Sequence, residues 1–253
     1  MKTKIFALVP AAGLGTRLGE ALPKQYLDLN GVPMIFHALS ALHAVKRIDK
    51  IIAVLSPEDR HWKFFSDRDM QSGAAIFERF GTRVVTAYVG GKSRGESVAN
   101  GLKFIAAEAA SDDWVMVHDA ARPCIRSELV EQFIDELDGD LVGGLLALPL
   151  ADTIKCDDGA ENLRVAKTIP RDGIWRAQTP QMFRFGLLQM AMRDFVAATD
   201  EAQAIESIGH QPKIVMGDSG NLKVTYATDM QLAKLLLNMK SDMNTNTNPE
   251  SAP

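Results

Sequence analysis

Short apolar runs alternate along this chain with longer segments whose apolar residues recur at helical spacing. The first five runs are Lys4–Val9, Ile51–Leu55, Val84–Val89, Trp114–Val117 and Leu141–Leu148. Strands that are apolar on both faces belong in a parallel sheet covered by helices on both sides. Repeated alternation of strand and helix implies right-handed crossover connections. The pattern therefore predicts a doubly wound α/β fold with a mostly parallel sheet.

In folds of this class, ligands bind outside the carboxyl ends of the strands. The loops after Val9, Val89 and Val117 are therefore expected to carry the chemistry. A chain of 253 residues suits one large domain with a small appendage. We expect residues 1–240 to form that domain.

The pattern changes near residue 150. Asp152–Cys156 and Leu163–Thr168 flank a turn that contains Asp157–Gly159, which predicts a β-hairpin within residues 150–170. A lone hairpin is marginally stable, so we expect it to pack on the domain or on a second subunit. Beyond it, helices are expected at 185–198, 201–208 and 228–239, and strands at 213–216 and 221–225. The polar segment 241–253 is expected to be a disordered tail.

Composition and charge exclude several classes of protein. The formal net charge of −4 and the pI near 5.8 argue against a broad nucleic-acid-binding face, but they allow a small basic pocket. The apolar start after Lys2 resembles a signal peptide, yet it is short and is broken by Pro10, so a buried strand is the better interpretation. Cys124 and Cys156 form no CxxC pair and are expected to be thiols in a reducing compartment. We therefore expect a cytoplasmic protein with no membrane segment.

A glycine-rich loop follows the first strand directly. It places Gly13 and Gly15 before Arg17, and Lys24 comes shortly afterwards. Successive backbone N–H groups in such a loop can cradle an anion. The loop is not a Walker A loop, because no Gly-Lys-Ser/Thr closes it, and it is not GxGxxG, because Gly19 comes one position too late. An ordinary tight turn is the alternative, but two cations beside the loop favour phosphate binding.

The fourth strand ends in His118 and Asp119. A carboxylate at this edge of the sheet is suited to Mg²⁺, which takes one or two protein carboxylates together with water and substrate phosphates. A helix or turn cap is the alternative for Asp119. His118 has no partner at metal-ligand spacing, so we expect an orienting or packed residue. The third strand is followed by Gly90 and Gly91, where a nucleobase site and a plain turn with a serine cap are equally compatible with the sequence.

Seven segments together make the sequence resemble one family. They are PAAGLGTRL, PKQY, GGKSRGESV, VHDAARP, DTIK, TDEA and NLKVT, in that order. The chain from about residue 4 to residue 239 resembles the 2-C-methyl-D-erythritol 4-phosphate cytidylyltransferases of the non-mevalonate isoprenoid pathway. The resemblance implies a Rossmann-like α/β domain with a projecting β-arm that builds a homodimer. It also implies transfer of CMP from CTP to the sugar phosphate, with release of pyrophosphate and with Mg²⁺ as cofactor.

The resemblance further implies a role for particular residues. Arg17 and Lys24 would stabilise the transition state at the α-phosphate, and Asp119 would hold the metal ion. The residues implied in CTP binding are Ala11, Ala12, Gly13, Gly15, Gly91, Ser97 and Lys223. The residues implied in binding the sugar phosphate are Arg122, Thr153, Arg171, Thr199 and, again, Lys223.

Two departures and two alternatives accompany this interpretation. Leu18 stands where the family usually has Met, and Lys92 stands where an acidic residue is frequent, which puts a cytosine contact there in doubt. The first alternative is a ribitol 5-phosphate cytidylyltransferase, but that class tends to carry AGG where this chain has Ala11-Ala12-Gly13. The second is a nucleotide-binding module without catalytic activity, which would not need Arg17, Lys24, Asp119 and Lys223 together.

Overall fold

A seven-stranded sheet forms the centre of the molecule. The structure is a computed structural model that describes residues 2–13, 22–66, 80–159, 163–194 and 196–245. The strands are β1 (Ile5–Pro10), β2 (Asp28–Leu29), β3 (Val32–Pro33), β4 (Lys50–Val54), β5 (Val84–Ala87), β6 (Trp114–Val117), β7 (Gly143–Pro149), β8 (Ile154–Asp157), β9 (Val165–Ile169), β10 (Trp175–Arg184) and β11 (Lys213–Met216). The helices are α1 (Met34–Ala44), α2 (His61–Ser66), α3 (Arg94–Ile105), α4 (Ser127–Glu136), α5 (Phe185–Asp194), α6 (Glu201–Ser207) and α7 (Ala227–Thr245).

The strand order in the sheet is β11-β7-β10-β6-β1-β4-β5. Strand β10 runs antiparallel to β6 and β7, while the other neighbouring pairs are parallel. The predicted doubly wound, mostly parallel α/β architecture is therefore confirmed. Among the described residues, no helix combines the length and apolar composition that crossing a bilayer would take.

Two hydrophobic cores lie on opposite faces of the sheet. In β1, Ile5, Ala7 and Val9 contribute to one core, and Phe6 and Leu8 contribute to the other, as the alternation of side chains along a strand requires. The first core packs against α1 and α4, and the second packs against α3, α5 and α6. Because both faces are covered, the apolar start of the chain is a central strand, as its sequence predicts.

Two of the helices, α3 and α6, begin at side-chain caps. The Ser93 hydroxyl accepts a hydrogen bond from the Glu96 N–H at the start of α3, and the Asp200 carboxylate accepts one from the Gln203 N–H at the start of α6. Such caps satisfy N–H groups that the first turn of a helix leaves without a partner. The capping-box spacing read from Asp200 and Gln203 is thus confirmed as a helix start.

The predicted hairpin is present as β8 and β9, which pair with each other and not with the main sheet. Two of its apolar side chains are largely exposed, Leu163 at 73% and Val165 at 62% of full exposure, whereas Ile154 and Ile169 are half-buried. The hairpin, together with the segment from residue 150 to residue 170, is called the arm below. None of its described residues belongs to the hydrophobic cores of the chain.

Strand β10 is absent from the prediction. Its middle carries Gln178, Thr179, Pro180 and Gln181, and a proline within a run demotes a strand assignment. The structure accommodates the proline by a shift of register between Ala177 and Gln181. The polar side chains are buried because they bond to partners far away in sequence, which periodicity does not reveal.

Two other expectations at the C-terminal end are wrong. Asn221–Thr225 is not a strand. Its Val224 N–H donates a hydrogen bond to the Ala121 carbonyl, 2.8 Å away in the loop after β6, and the segment does not pair with a strand of the sheet. The boundary of the tail at residue 241 is also displaced, because α7 continues to Thr245. Helix propagation adds one hydrogen bond per residue, and polar residues such as Asn and Thr cost only a few tenths of a kcal/mol each. Residues 246–253 lie outside the described residues.

Candidate active site

A cavity of about 300 Å³ lies at the carboxyl edge of the sheet, beside the ends of β1 and β6. Its walls come from the loop after β1, the short 3₁₀ turn Lys24–Tyr26, the start of α3 and the loop after β6. Lys223, from the segment before α7, also lines the cavity. This is the edge at which a doubly wound sheet binds its ligand.

The loop after β1 continues the sheet before it turns away. The Ala11 N–H donates to the Val54 carbonyl at 2.8 Å, and the buried Gln25 amide donates to the Ala11 carbonyl at 2.7 Å. A Cβ added at Gly13 would meet no described atom within 4 Å. The loop is therefore anchored where it leaves the strand, and none of the described residues crowds its glycine.

The loop after β5 packs directly against this first loop. A Cβ at Gly90 would lie 2.2 Å from the Cβ of Ala12 and 2.7 Å from the carbonyl oxygen of Leu55. A Cβ at Gly91 would lie 2.3 Å from the Cβ of Glu96. Both positions require glycine because other segments of the same chain approach so closely.

Ser97 organises the loop that begins at Gly91. Its hydroxyl accepts a hydrogen bond from the Gly91 N–H at 3.1 Å and donates to the Ser93 carbonyl at 2.9 Å. The Lys92 N–H donates to the Glu96 carboxylate at 2.7 Å. The backbone of this wall of the cavity is therefore fixed by side chains of the helix that follows it.

Asp119 is the acidic centre of the cavity. Its side chain is 8% exposed, Oδ1 lies 2.7 Å from the Arg94 Nε, and Oδ2 lies 2.7 Å from the Lys223 Nζ. Burial alone would raise the pKa of this carboxyl, but the charges of Arg94 and Lys223 outweigh burial and hold the pKa well below its ordinary value. The carboxylate is ionised, and a cation reaches each of its oxygens.

Two lysines from distant parts of the chain stand together here. The Lys24 Nζ donates to the carbonyl of Val224 at 2.5 Å, directly after Lys223. Both lysines line the cavity. The cavity therefore carries two ammonium groups that lie about 200 positions apart in the sequence, and one of them contacts Asp119.

His118 is fully buried behind this cluster. Its Nδ1 lies 3.2 Å from the Thr179 hydroxyl and its Nε2 lies 3.1 Å from the Arg122 carbonyl. The Thr179 hydroxyl also accepts from the Asp119 N–H at 3.0 Å. Burial lowers the pKa of His118 to about 4, so the ring is neutral near pH 7. The expectation of a packed, orienting histidine is supported by this geometry.

Arg122 is a buried cation beside the cavity. Its guanidinium donates to the Asn221 carbonyl at 2.7 Å and to the Ala177 carbonyl at 3.4 Å. Its Nε has no hydrogen-bond partner among the described residues. Burial lowers the pKa of this group from its ordinary value, which a nearby anion would counteract.

The donor set suits a divalent cation that takes most of its ligands from a substrate. No group of three or more His, Cys, Asp or Glu side chains within the described ranges could hold a metal ion. Mg²⁺ usually needs only one or two protein carboxylates and fills its remaining positions with water and phosphate oxygens. Asp119, ionised and at the cavity wall, fits that pattern, and a metal cage built by the protein alone does not.

Comparison with known proteins identifies the family. Residues 5–239 match the family model described as "IspD: 2-C-methyl-D-erythritol 4-phosphate cytidylyltransferase". The chain belongs to this family. A protein of that name from Dechloromonas aromatica (strain RCB) is 50% identical over 232 residues, which are 92% of this chain and 96% of the relative. Another from Azoarcus sp. (strain BH72) is 48% identical over 93% of this chain and 95% of the relative.

Solved structures of the cytidylyltransferase family share the fold. A crystal structure of a 4-diphosphocytidyl-2C-methyl-D-erythritol synthase superposes with a TM-score of 0.79 at 34% identity, covering 94% of this chain and all of the other. The Francisella tularensis 2-C-methyl-D-erythritol 4-phosphate cytidylyltransferase superposes with a TM-score of 0.74 at 30% identity, covering 92% and 100%.

The structure brings together most of the residues that the sequence singled out. Those that line the cavity are Ala11, Ala12, Gly13, Lys24, Gly91, Ser97, Asp119 and Lys223. Gly15 and Arg17 lie outside the described residues. The implied sugar-phosphate residues Thr153, Arg171 and Thr199 are exposed and do not line the cavity of their own chain. Arg171 donates to the carbonyl of Ala151 at the base of the arm.

Sequence reasoning missed Arg94 and Glu201. Arg94 bonds Asp119 and, through both terminal nitrogens, the buried Glu201. Both residues stand in motifs that support the resemblance, but their pairing across 107 positions leaves no local trace. One signal in the sequence could have predicted the pair. A cation is unfavourable at the first position of a helix, so Arg94 at the start of α3 predicts an ion pair with a carboxylate from another segment.

Proposed function

We propose that this chain transfers CMP from CTP to 2-C-methyl-D-erythritol 4-phosphate, giving 4-diphosphocytidyl-2-C-methyl-D-erythritol and pyrophosphate for isoprenoid precursor biosynthesis. The observation that carries the proposal is the cavity that Lys24, Lys223 and ionised Asp119 line together, in a chain that belongs to the family. Two polyanions can meet only where cations offset their repulsion, and this cavity provides them.

The reaction needs no general base from the protein. The nucleophile is a phosphate oxygen, and a phosphate monoester has a second pKa near 6, so it is largely dianionic at neutral pH. Neutral His118 is bonded on both sides and has no proton-transfer task in this scheme. Catalysis then rests on positioning and on stabilising the charge that develops at the α-phosphorus.

The nucleotide would lie along the loop after β1 and the start of α3. The backbone at Ala11, Ala12, Gly13 and Gly15 would hold the triphosphate, while Lys24 and Arg17 would stabilise the five-coordinate transition state. Gly91 and Ser97 would place the base and ribose. The lack of crowding at Gly13 by any described residue and the fixed wall at Gly91 support this placement.

Asp119 would hold Mg²⁺ together with the phosphates of CTP. The ion supplies positive charge that lowers the repulsion between the triphosphate and the incoming phosphate. Lys223, which contacts Asp119 in this structure, would bind phosphate groups of both substrates, and Arg122 would lie between the two subsites. The Nε of Arg122 is buried and has no hydrogen-bond partner in the described part of the chain, which supports an anionic neighbour.

Thr153 and Arg171 would bind the sugar phosphate in the cavity of a second subunit. They are exposed on or beside the arm and do not reach the cavity of their own chain, and the arm exposes Leu163 and Val165. A homodimer through the arm would cover these apolar groups and complete each site. Thr199, two residues before Glu201, would contribute from the same chain. Cys124 and Cys156 are thiols, which suits a cytoplasmic enzyme.

Pyrophosphate release measured with each of the four nucleoside triphosphates tests this function. We expect release only when CTP and 2-C-methyl-D-erythritol 4-phosphate are both present. Ribitol 5-phosphate in place of the methylerythritol phosphate is the control, and faster release with it would overturn the substrate assignment. CTP binding without turnover of either sugar phosphate would identify a silent nucleotide-binding module.

A further inference from the structure

Arg94 bridges two carboxylates that lie on different elements. Its Nε is 2.7 Å from the Asp119 Oδ1, and its Nη1 and Nη2 are 2.6 and 2.9 Å from the two oxygens of Glu201. Glu201 is fully buried. Removing a buried carboxylate from water is costly unless it is paired, so Glu201 depends on this guanidinium.

Both ends of the bridge are held in place by the fold. Arg94 begins α3 directly after the Ser93 cap, and Glu201 begins α6 directly after the Asp200 cap. Gln181 in β10 donates to the Asp200 carboxylate at 3.0 Å and accepts from the Ala202 N–H at 2.8 Å. The guanidinium is therefore placed by two capped helix starts, one of which is tied to the sheet.

This placement fixes the orientation of the Asp119 carboxylate. The Arg94 Nε bonds Oδ1, and the Thr179 hydroxyl accepts a hydrogen bond from the backbone N–H of Asp119. The Oδ2 atom of Asp119 is therefore the oxygen that faces Lys223. A lysine at position 94 would keep the charge, but it lacks the planar fork that bonds two carboxylates at once. The shape of the guanidinium is needed here as well as its charge.

The charges explain why Glu201 belongs to the arrangement. The pair Arg94–Glu201 is neutral overall, so Lys223 alone balances the charge of Asp119 in this structure, and that charge becomes available to a cation when Lys223 binds substrate phosphate. Without the Glu201 charge, the full positive charge of Arg94 would oppose a cation at Asp119.

We propose that Arg94 and Glu201 act as a positioning pair that orients Asp119 for a divalent cation in the nucleotide complex. The inference rests on the proposed function, because it takes the cavity as the site of CTP and its metal ion. Neither residue needs to touch the reacting atoms. Partners that orient a metal ligand typically contribute ~10–100-fold to metal affinity.

The test measures the binding of Mn²⁺ to the full chain in the presence of CTP and without any sugar phosphate. The electron paramagnetic resonance signal of unbound Mn²⁺ reports how much of the ion is bound. We expect Arg94→Lys and Glu201→Gln to raise the Kd for Mn²⁺ by about 10–100-fold. Arg47→Lys is the matched control, since Arg47 forms an ion pair with Asp135 away from the cavity. We expect this control to bind Mn²⁺ as the unaltered protein does.

Thermal unfolding of each variant separates positioning from a purely structural role. Lower melting temperatures with an unchanged Kd for Mn²⁺ would show that the pair only stabilises the packing of α3 against α6, and this result would overturn the proposal. Loss of the folded state in both variants would do the same. Absence of CTP-dependent Mn²⁺ binding in the unaltered protein would instead contradict the proposed function of the cavity.

Discussion

The cavity and the arm differ in how far a single chain completes them. At the cavity, Asp119 is 8% exposed and both of its oxygens are paired at 2.7 Å, so charged groups are already in place. On the arm, Leu163 and Val165 are mostly exposed, and Arg171 bonds only to the neighbouring backbone in the contacts that the structure describes. The proposed nucleotide subsite is therefore lined by residues of one chain, whereas we propose that a second copy completes the sugar-phosphate subsite.

The strongest test of the cavity side is Lys24→Ala. We expect kcat to fall by roughly 10²–10³, since removing one preorganised charge donor in a buried site has that effect. The measurement is pyrophosphate release at saturating substrates, with the circular dichroism spectrum as a check of the fold. Lys50→Ala, which removes a surface ion pair with Glu108, is the control, and a near-normal kcat for Lys24→Ala would refute its role.

The corresponding test of the arm is Arg171→Ala. We expect KM for the sugar phosphate to rise about 10- to 100-fold, because hydrogen bonds to charged groups contribute ~1.5–3 kcal/mol. The KM for CTP should stay nearly constant. A rise confined to the KM for CTP would show that the two subsites are assigned the wrong way round.

Mixing the two variants tests whether the arm acts across subunits. If Arg171 serves the partner's cavity, random dimers of Lys24→Ala and Arg171→Ala chains contain one intact site in four. We expect activity at low sugar phosphate to recover to about a quarter of the unaltered value, well above either variant alone. No recovery after subunit exchange would place both residues in the same chain's site.

The smallest effect concerns pH and the buried His118. Its pKa of about 4 lies below the unfolded value of about 6.5, so the unfolded chain takes up a proton first as the pH falls. Stability is therefore full above about pH 6.5 and declines towards pH 4. We expect a loss of ~1 kcal/mol in the free energy of unfolding between pH 7 and pH 5.5 from this group.

Urea unfolding at both pH values measures this loss, and His118→Gln is the comparison. That variant lacks the titrating ring, so its stability should fall less between the two pH values even if it is lower throughout. An equal decline in both proteins would assign the pH dependence to other groups.

The parts of the fold that the sequence predicts are those with a local cause. Strands such as β6 are apolar throughout, and their carboxyl ends gather Gly13, Gly91 and Asp119 at one edge because parallel strands share a direction. The boundaries of the hairpin follow from its turn residues. Periodicity and turn chemistry were sufficient for these elements.

The missed parts have causes that lie far apart along the chain. In β10, Gln178 and Gln181 are buried because they bond to Asn221, Asp218 and Asp200 rather than because they are apolar. The pairing of Arg94 with Glu201 likewise depends on two helix starts that meet only in the folded protein. Buried polar networks of this kind satisfy hydrogen bonds in three dimensions and leave no period in the sequence.

The contact between Gly90 and Ala12 has a consequence for redesign. The segment that would select the base and the segment that would wrap the triphosphate touch at a point with no room for one additional carbon atom. Any substitution that adds a side chain at position 90 displaces the other segment as well. In the proposed placement of CTP, base preference can therefore be altered at Lys92, where the side chain is exposed, but not at Gly90.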